Sequence, residues 1–133
     1  MIRELNKKEY AVILDLAKNI KPNFTINDFS LNSIVIVYEL DSKIVGFLEY
    51  YINYETIELL NIAVDINYRN KGIGTNMISY LTKISGIDRI MLEVRESNKE
   101  ALALYNKLGF SIVRTIKNYY GNEIGYAMER KIR

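Results

Sequence analysis

The sequence predicts an α/β (α+β) domain: a mixed central sheet of six to seven strands flanked by about four helices, occupying residues 1–133 as one unit. Three observations predict it. Apolar residues alternate with period two over several stretches and recur at helical spacing over others. Three strand-like runs follow one another between residues 34 and 64, separated only by short polar turns, as an antiparallel meander requires. A strand–helix–strand unit then spans residues 57–95, and such a crossover demands a parallel pair within the same sheet.

The elements follow in order. Residues 2–5 form a short strand. Asn6 with Glu9 three positions later is a capping-box signature, and Tyr10, Ile13, Leu14 and Ala17 continue at helical spacing. Pro22, the single proline, punctuates the chain after that helix. NFTINDFS is a loop or a short second helix carrying Phe24 and Phe29. Strands over 34–40, 43–54 and 57–64 are joined by a tight turn at Asp41-Ser42 and a polar stretch near Glu55. Ile73, Met77, Ile78, Leu81 and Ile84 define one face of a helix that ends at Gly86. In the strand 89–95, Ile90, Leu92 and Val94 share one face while Met91, Glu93 and Arg95 share the other. Ser97 and Glu100 form a second capping-box signature, opening a helix through Leu108 that Gly109 terminates. Strands over 110–116 and 124–130, joined by the loop KNYYGNE, complete the order.

Composition narrows the chemistry. The chain of 133 residues contains no Cys and no His, which removes thiol nucleophiles, imidazole bases and the usual zinc ligands. No metal is expected. Catalysis must use carboxylates, tyrosines, lysines, hydroxyls or backbone amides. Eighteen Lys and Arg against sixteen Asp and Glu leave a net charge of +2, too little to indicate nucleic-acid binding. No apolar run approaches the roughly 18 residues of a membrane span, and MIRELNKKEY lacks the features of a signal peptide. A cytoplasmic protein without membrane contact, monomeric or weakly dimeric, is the expectation.

The stretch RNKGIGT, Arg69, Asn70, Lys71, Gly72, Ile73, Gly74 and Thr75, sits between a strand and a helix. Amides at a helix start lack intrahelical partners and carry the positive end of the dipole. Two glycines one residue apart let a phosphate approach those amides. A Walker loop and a dinucleotide fingerprint both fail: no Gly-Lys-Ser/Thr occurs, and position 77 is Met. The alternative is a glycine-containing turn that only ends a strand.

RNKGIG resembles the R/Q-x-x-G-x-G/A signature of the GCN5-related N-acetyltransferases (GNAT), whose loop binds the pyrophosphate of acetyl-coenzyme A. LLNIAVDINYRNKGIGTNMISYL resembles that family's strand–loop–helix core, and LEVRESNKEALALYNKLGF its following strand and helix. The resemblance covers essentially the whole chain. Within the family, LEVRESN, ALYNKLGF and NYY are most similar to bacterial ribosomal-protein-alanine N-terminal acetyltransferases (RimI type) and their archaeal and eukaryotic relatives. Two departures stand out. Asn23-Phe24-Thr25 replaces the usual Pro-Trp pair and hydroxyl residue, and Glu123-Ile124-Gly125 replaces an acidic residue followed by Ala.

The resemblance implies acetyl transfer from acetyl-coenzyme A to an amine, with coenzyme A as product and a protein N-terminus, such as that of a ribosomal protein, as acceptor. An α-amine has a pKa near 8 against about 10.4 for Lys, so deprotonating it takes roughly 3–4 kcal/mol less. A carboxylate acting through water then suffices without His. Glu93 is the implied general base; otherwise it pairs with Arg95 or lies as a sheet-surface carboxylate. Tyr105 is the implied acid at the coenzyme sulfur; otherwise it packs in the core or only hydrogen-bonds the sulfur. Asn98 contacts the coenzyme or caps its helix. Arg69 pairs with phosphate or with Asp65. The backbone of Ile62, Ala63 and Val64 is implied to hold the pantetheine arm as an added strand would. Phe24, Asn61, Tyr119 and Tyr120 are the implied acceptor-site residues, with an aromatic cluster ordering the loop as the alternative for the tyrosines and Phe24. A small amine or Lys as acceptor, and a non-catalytic acyl-coenzyme-binding module, are the competing readings.

Overall fold

Asn6 sets the entry into the first helical segment. Its side chain accepts from the Lys8 amide at 3.1 Å while the Glu9 carboxylate accepts from the Asn6 amide at 2.9 Å, the expected reciprocal cap. Arg3 on the first strand holds the same Glu9 at 2.8 Å and Glu39 at 3.0 Å, which fixes strand and helix to each other. The computed structural model describes residues 1–119 and 121–132, the side chain of Lys7 excepted.

The elements are β1 (Ile2–Glu4), α1 (Tyr10–Ala17), β2 (Ile34–Leu40), β3 (Lys43–Asn53), β4 (Thr56–Val64), α2 (Ile73–Thr82), β5 (Arg89–Arg95), α3 (Lys99–Lys107), β6 (Ser111–Tyr119) and β7 (Glu123–Lys131). Single turns of 3-10 helix occur at Lys7–Glu9, Ile26–Asp28 and Ile66–Tyr68. The stretch expected as a loop or second helix is thus one such turn, closed by reciprocal capping between Thr25 and Asp28. Seven strands form one sheet in the order β1-β2-β3-β4-β5-β7-β6. Only β4 and β5 run parallel, joined by α2, as the crossover predicts. Asp41 and Ser42 both adopt positive φ (51° and 66°), the conformation a two-residue hairpin needs.

Both faces of the sheet are covered at its centre. Strand alternation sends Ile36, Leu48, Ile57, Ile90, Leu92 and Met128 to the face that packs on α2 and α3. Val35, Val37, Phe47 and Ala63 go to the other face, beneath α1, Phe24 and Phe29.

Three local expectations are corrected. The cap of α3 is Asn98, whose Oδ1 accepts from the Ala101 amide at 3.1 Å, and not Ser97. Ser97 instead donates its hydroxyl and its amide to the Glu123 carboxylate at the start of β7. Helix α2 stops at Thr82, so Ile84 packs from the following turn and not from the helix. Finally, β6 continues through Lys117, Asn118 and Tyr119, which were expected in a loop. A register shift between Ile116 and Tyr119, with Asn118 at φ 57°, lets pairing to β7 resume at Tyr119 and Glu123.

Candidate active site

The parallel pair does not stay paired. Only Thr56–Glu58 match Arg89–Met91, after which β4 and β5 separate and leave a gap from Leu59 and Leu92 onward. The Asp65 amide donates to the Val45 carbonyl at 2.8 Å, which makes that opposed pair a hydrogen-bonded one. By the alternation of an antiparallel ladder, Ala63 and Asn61 also bond to β3, while the backbone of Ile62 and Val64 turns toward the gap. Two of the three backbone positions expected to hold a pantetheine arm therefore face the gap. Ala63 does not; it is buried in the core beneath α1.

At one end of the gap lies the loop RNKGIG. Asp65 caps the 3-10 turn by accepting from the Asn67 amide at 2.9 Å. Arg69 donates from Nε to the Val64 carbonyl at 3.1 Å, while Asp65 has Lys43 as its ion-pair partner at 3.9 Å. The suggested Arg69–Asp65 pair is not formed. Asn70 and Gly72 take positive φ (62° and 81°), and Gly72 is the N-cap of α2. That helix has no side-chain cap, and its first backbone bond runs from Asn76 to the Gly72 carbonyl at 2.9 Å. The amides of Ile73, Gly74 and Thr75 thus precede the first helical donor and remain available to an anion. Nothing lies within 4 Å of where a Cβ would stand at Gly72, so the approach is open. Ile73 contributes backbone only, its side chain being buried in the core. Lys71 and Lys43 set their ammonium groups 5.6 Å and 5.4 Å from the Tyr68 ring, adding positive charge beside the loop. An uncapped helix start, an open glycine and adjacent cations fit a pyrophosphate.

Glu93 and Tyr105 lie on opposite faces of the sheet. Glu93 lies two residues past the last β4–β5 pair, opposite Ala127 of β7, on the face away from α2. Its side chain is half exposed, and its ion-pair partner is Arg114 of β6 at 4.0 Å, not Arg95. Glu58, next to it on β4, has its carboxyl pushed up by burial and further by the charge of Glu93. Tyr105 projects from α3 into the core of the other face and packs edge-on to Phe110, with ring centroids 5.7 Å apart. Burial pushes its phenol up to about 12. The hydroxyl has no hydrogen-bond partner among the described residues and is not sealed from solvent. Asn98 uses its carbonyl oxygen to cap α3, which bears out the capping role.

The acceptor-side residues divide. Phe24 is buried, with its ring 4.9 Å from that of Phe29, and serves as core under the loop more than as an exposed wall. Asn61 is half-buried beside the gap, and its Nδ2 donates to Glu49 Oε1 at 2.7 Å. Tyr119 lies across β7: a Cβ at Gly125 would stand 2.4 Å from its ring. The departure at Gly125 thus has a physical reason, since only glycine leaves room for that ring. Tyr120 lies outside the described residues. Glu49, Glu58 and Arg114 were not anticipated. The signal for Glu49 was a lone carboxylate within the apolar run IVGFLEYYI.

Comparison with known proteins agrees with this geometry. The family model described as Acetyltransferase (GNAT) family matches residues 1–110. A ribosomal protein bS18-alanine N-acetyltransferase of Salmonella typhimurium is 33% identical over 89 residues, covering 65% of this chain and 60% of that protein. An N-alpha-acetyltransferase of Saccharolobus solfataricus is 42% identical over 79 residues, covering 56% of this chain and 47% of that one. The aligned segments therefore span about half to three-fifths of these relatives. The crystal structure of the ribosomal-protein-S18-alanine N-acetyltransferase from Escherichia coli superposes with a TM-score of 0.78 at 26% identity, covering 99% of this chain and 93% of that one. With a family model matching most of its length and the fold matching throughout, the chain belongs to the GNAT acetyltransferase family.

Proposed function

We propose that this protein transfers an acetyl group from acetyl-coenzyme A to the N-terminal α-amine of a protein, a ribosomal protein being the favoured acceptor. The observation that carries this reading is the gap between β4 and β5, with Glu93 on one face and Tyr105 on the other. The amine adds to the face of the planar thioester while the sulfur leaves from within that plane, so the groups serving them approach from different directions, as Glu93 and Tyr105 do from the two faces of the sheet. The three relatives named above, by their names N-acetyltransferases of an α-amine or of a ribosomal-protein alanine, support the acceptor class.

Bound coenzyme supplies a thioester-activated acetyl group. The amides of Ile73, Gly74 and Thr75, with Lys71 nearby, hold its pyrophosphate, and the exposed edge of β4 at Ile62 and Val64 pairs with its amide-containing arm. Glu93, half exposed on its strand, receives the amine proton through water. Tyr105 faces the sulfur and stays protonated, because its phenol titrates about 12. It stabilises developing thiolate charge by hydrogen bonding. Glu58 and Glu93 together make the acceptor face favourable to an ammonium group.

The test is initial-rate assay with acetyl-coenzyme A and a panel of peptides, beside free polyamines and N-terminally blocked Lys peptides. Turnover of free N-terminal peptides at the highest kcat/KM is the expected result. A preference for polyamines or Lys side chains would replace the proposed acceptor, and tight coenzyme binding without any turnover would leave only a binding module.

A further inference from the structure

Glu49 is fully buried on β3, one of two buried polar residues among those described. Among the described residues no cation pairs with it. Oε2 accepts from the Ser30 amide at 2.7 Å and from the Ser33 hydroxyl at 2.6 Å, and Oε1 accepts from Asn61 Nδ2 at 2.7 Å. Removing a carboxylate from water is costly unless its lone pairs are filled, and three donors from three separate residues fill most of them here. Two of those donors belong to the segment between the 3-10 turn at Ile26–Asp28 and β2, and the third stands directly opposite Glu49 on β4. The carboxylate therefore ties the α1–β2 connection to the strand that borders the gap.

The orientation of one amide follows from this contact. A carboxylate oxygen can face only the NH2 end of Asn61, since two acceptors would repel. Asn61 is half-buried, and its Oδ1 has no hydrogen-bond partner among the described residues and is not sealed from solvent, so that oxygen is left to a ligand. We propose that Glu49 is a positioning residue for acceptor recognition: it locks the Asn61 amide so that Oδ1 accepts a hydrogen bond from the amino group to be acetylated. The inference rests on the acetyltransferase reading above, but not on the acceptor being a peptide.

Swapping the polarity of the contact tests it. In Glu49→Gln, the Gln oxygen keeps the Ser30 and Ser33 donors and its NH2 meets Asn61, whose amide must flip and present NH2 to the amine. In Glu49→Gln/Asn61→Asp, the Gln NH2 donates to one Asp oxygen and the other again faces the acceptor. Kinetics are measured on whichever amine the wild type acetylates best, with acetyl-coenzyme A dissociation constants and melting temperatures alongside. Glu49→Gln and Asn61→Ala should each raise the acceptor KM about ten-fold or more, the worth of a hydrogen bond to a charged group. Coenzyme affinity should stay within about two-fold, and the double variant should regain most of the lost acceptor affinity, since a charge-assisted contact is restored. Unchanged acceptor KM in Asn61→Ala, or a Glu49→Gln defect shared equally by coenzyme and acceptor and not relieved in the double variant, overturns the proposal. Peptides that fail while a small amine reacts would overturn the peptide reading alone.

Discussion

Replacing Tyr105 by Phe isolates one hydroxyl. The ring stays in the core against Phe110, and the hydroxyl that is lost has no hydrogen-bond partner among the described residues, so little stability should be lost with it. What remains is its effect on the departing sulfur. The phenol titrates at about 12, whereas an ordinary thiol titrates near 8.5, a gap of about 3.5 units. At about 1.4 kcal/mol per unit, leaving a full tyrosinate behind would be uphill by roughly 5 kcal/mol. Tyr105 therefore shares its proton without surrendering it. A hydrogen bond to a charged group is worth about 1.5–3 kcal/mol, so kcat should fall roughly 10- to 150-fold. Single-turnover assay of thiol release, at saturating acetyl-coenzyme A and peptide, reads the chemical step directly. The pH profiles of wild type and Tyr105→Phe should run parallel up to about pH 10. A descending limb below pH 10 that disappears in Tyr105→Phe would refute the reasoning, because it would mean a phenol that ionises far more easily than its burial allows.

Further expectations follow from neighbouring contacts. Glu93→Gln should lower kcat about 100-fold or more while coenzyme affinity, read by calorimetry, stays the same. Gly125→Ala should push the Tyr119 ring off β7, because the new Cβ would stand 2.4 Å from ring carbon Cγ; acceptor KM should rise and the melting temperature should fall. Since Tyr105 is buried and its phenol lies above the ordinary value of 10, stability is retained below pH 10 and lost as pH rises toward 12, by up to about 3 kcal/mol. Urea melts at high pH should show a smaller loss in Tyr105→Phe. At the acid end, the hydrogen bonds from Arg3 and from the Asn6 amide hold Glu9 down to about 2. Its contribution is full above about pH 4.5 and lost as pH falls through 2, and Arg3→Met should diminish that acid-limb slope.

Much of the fold was legible because it rests on local chemistry. The Asn6–Glu9 cap, the Asp41-Ser42 turn and the alternation of β5 are each written within a few residues. The crossover between β4 and β5 followed from handedness and connection length. Where local signals competed, the sequence misled. Ser97-x-x-Glu100 has the spacing of a capping box, yet Glu123, 26 positions away, draws Ser97 off the helix, and Asn98 caps it instead. NYYGN carries turn-forming residues that point to a loop, yet a register shift lets β6 continue to Tyr119.

The candidate site divides the same way. Gly72 and Gly74 announce the anion loop through their spacing, and Glu93 lies on a predictable strand face. The Glu49 clamp was not visible, because its partners Ser30, Ser33 and Asn61 come from distant segments that meet only when β3, β4 and the α1–β2 connection are assembled. Phe24 was expected beside the acceptor, but hydrophobic burial against Phe29 draws it into the core.

The central claim is that the chain acetylates an α-amine through groups on either side of the β4–β5 gap. Tandem mass spectrometry of one peptide bearing both a free N-terminus and an internal Lys, after incubation with acetyl-coenzyme A, tests it most directly. The account predicts acetyl on the α-nitrogen, with product falling by two orders of magnitude in Glu93→Gln. Acetyl found on the Lys side chain, or product unaffected by Glu93→Gln, would contradict it.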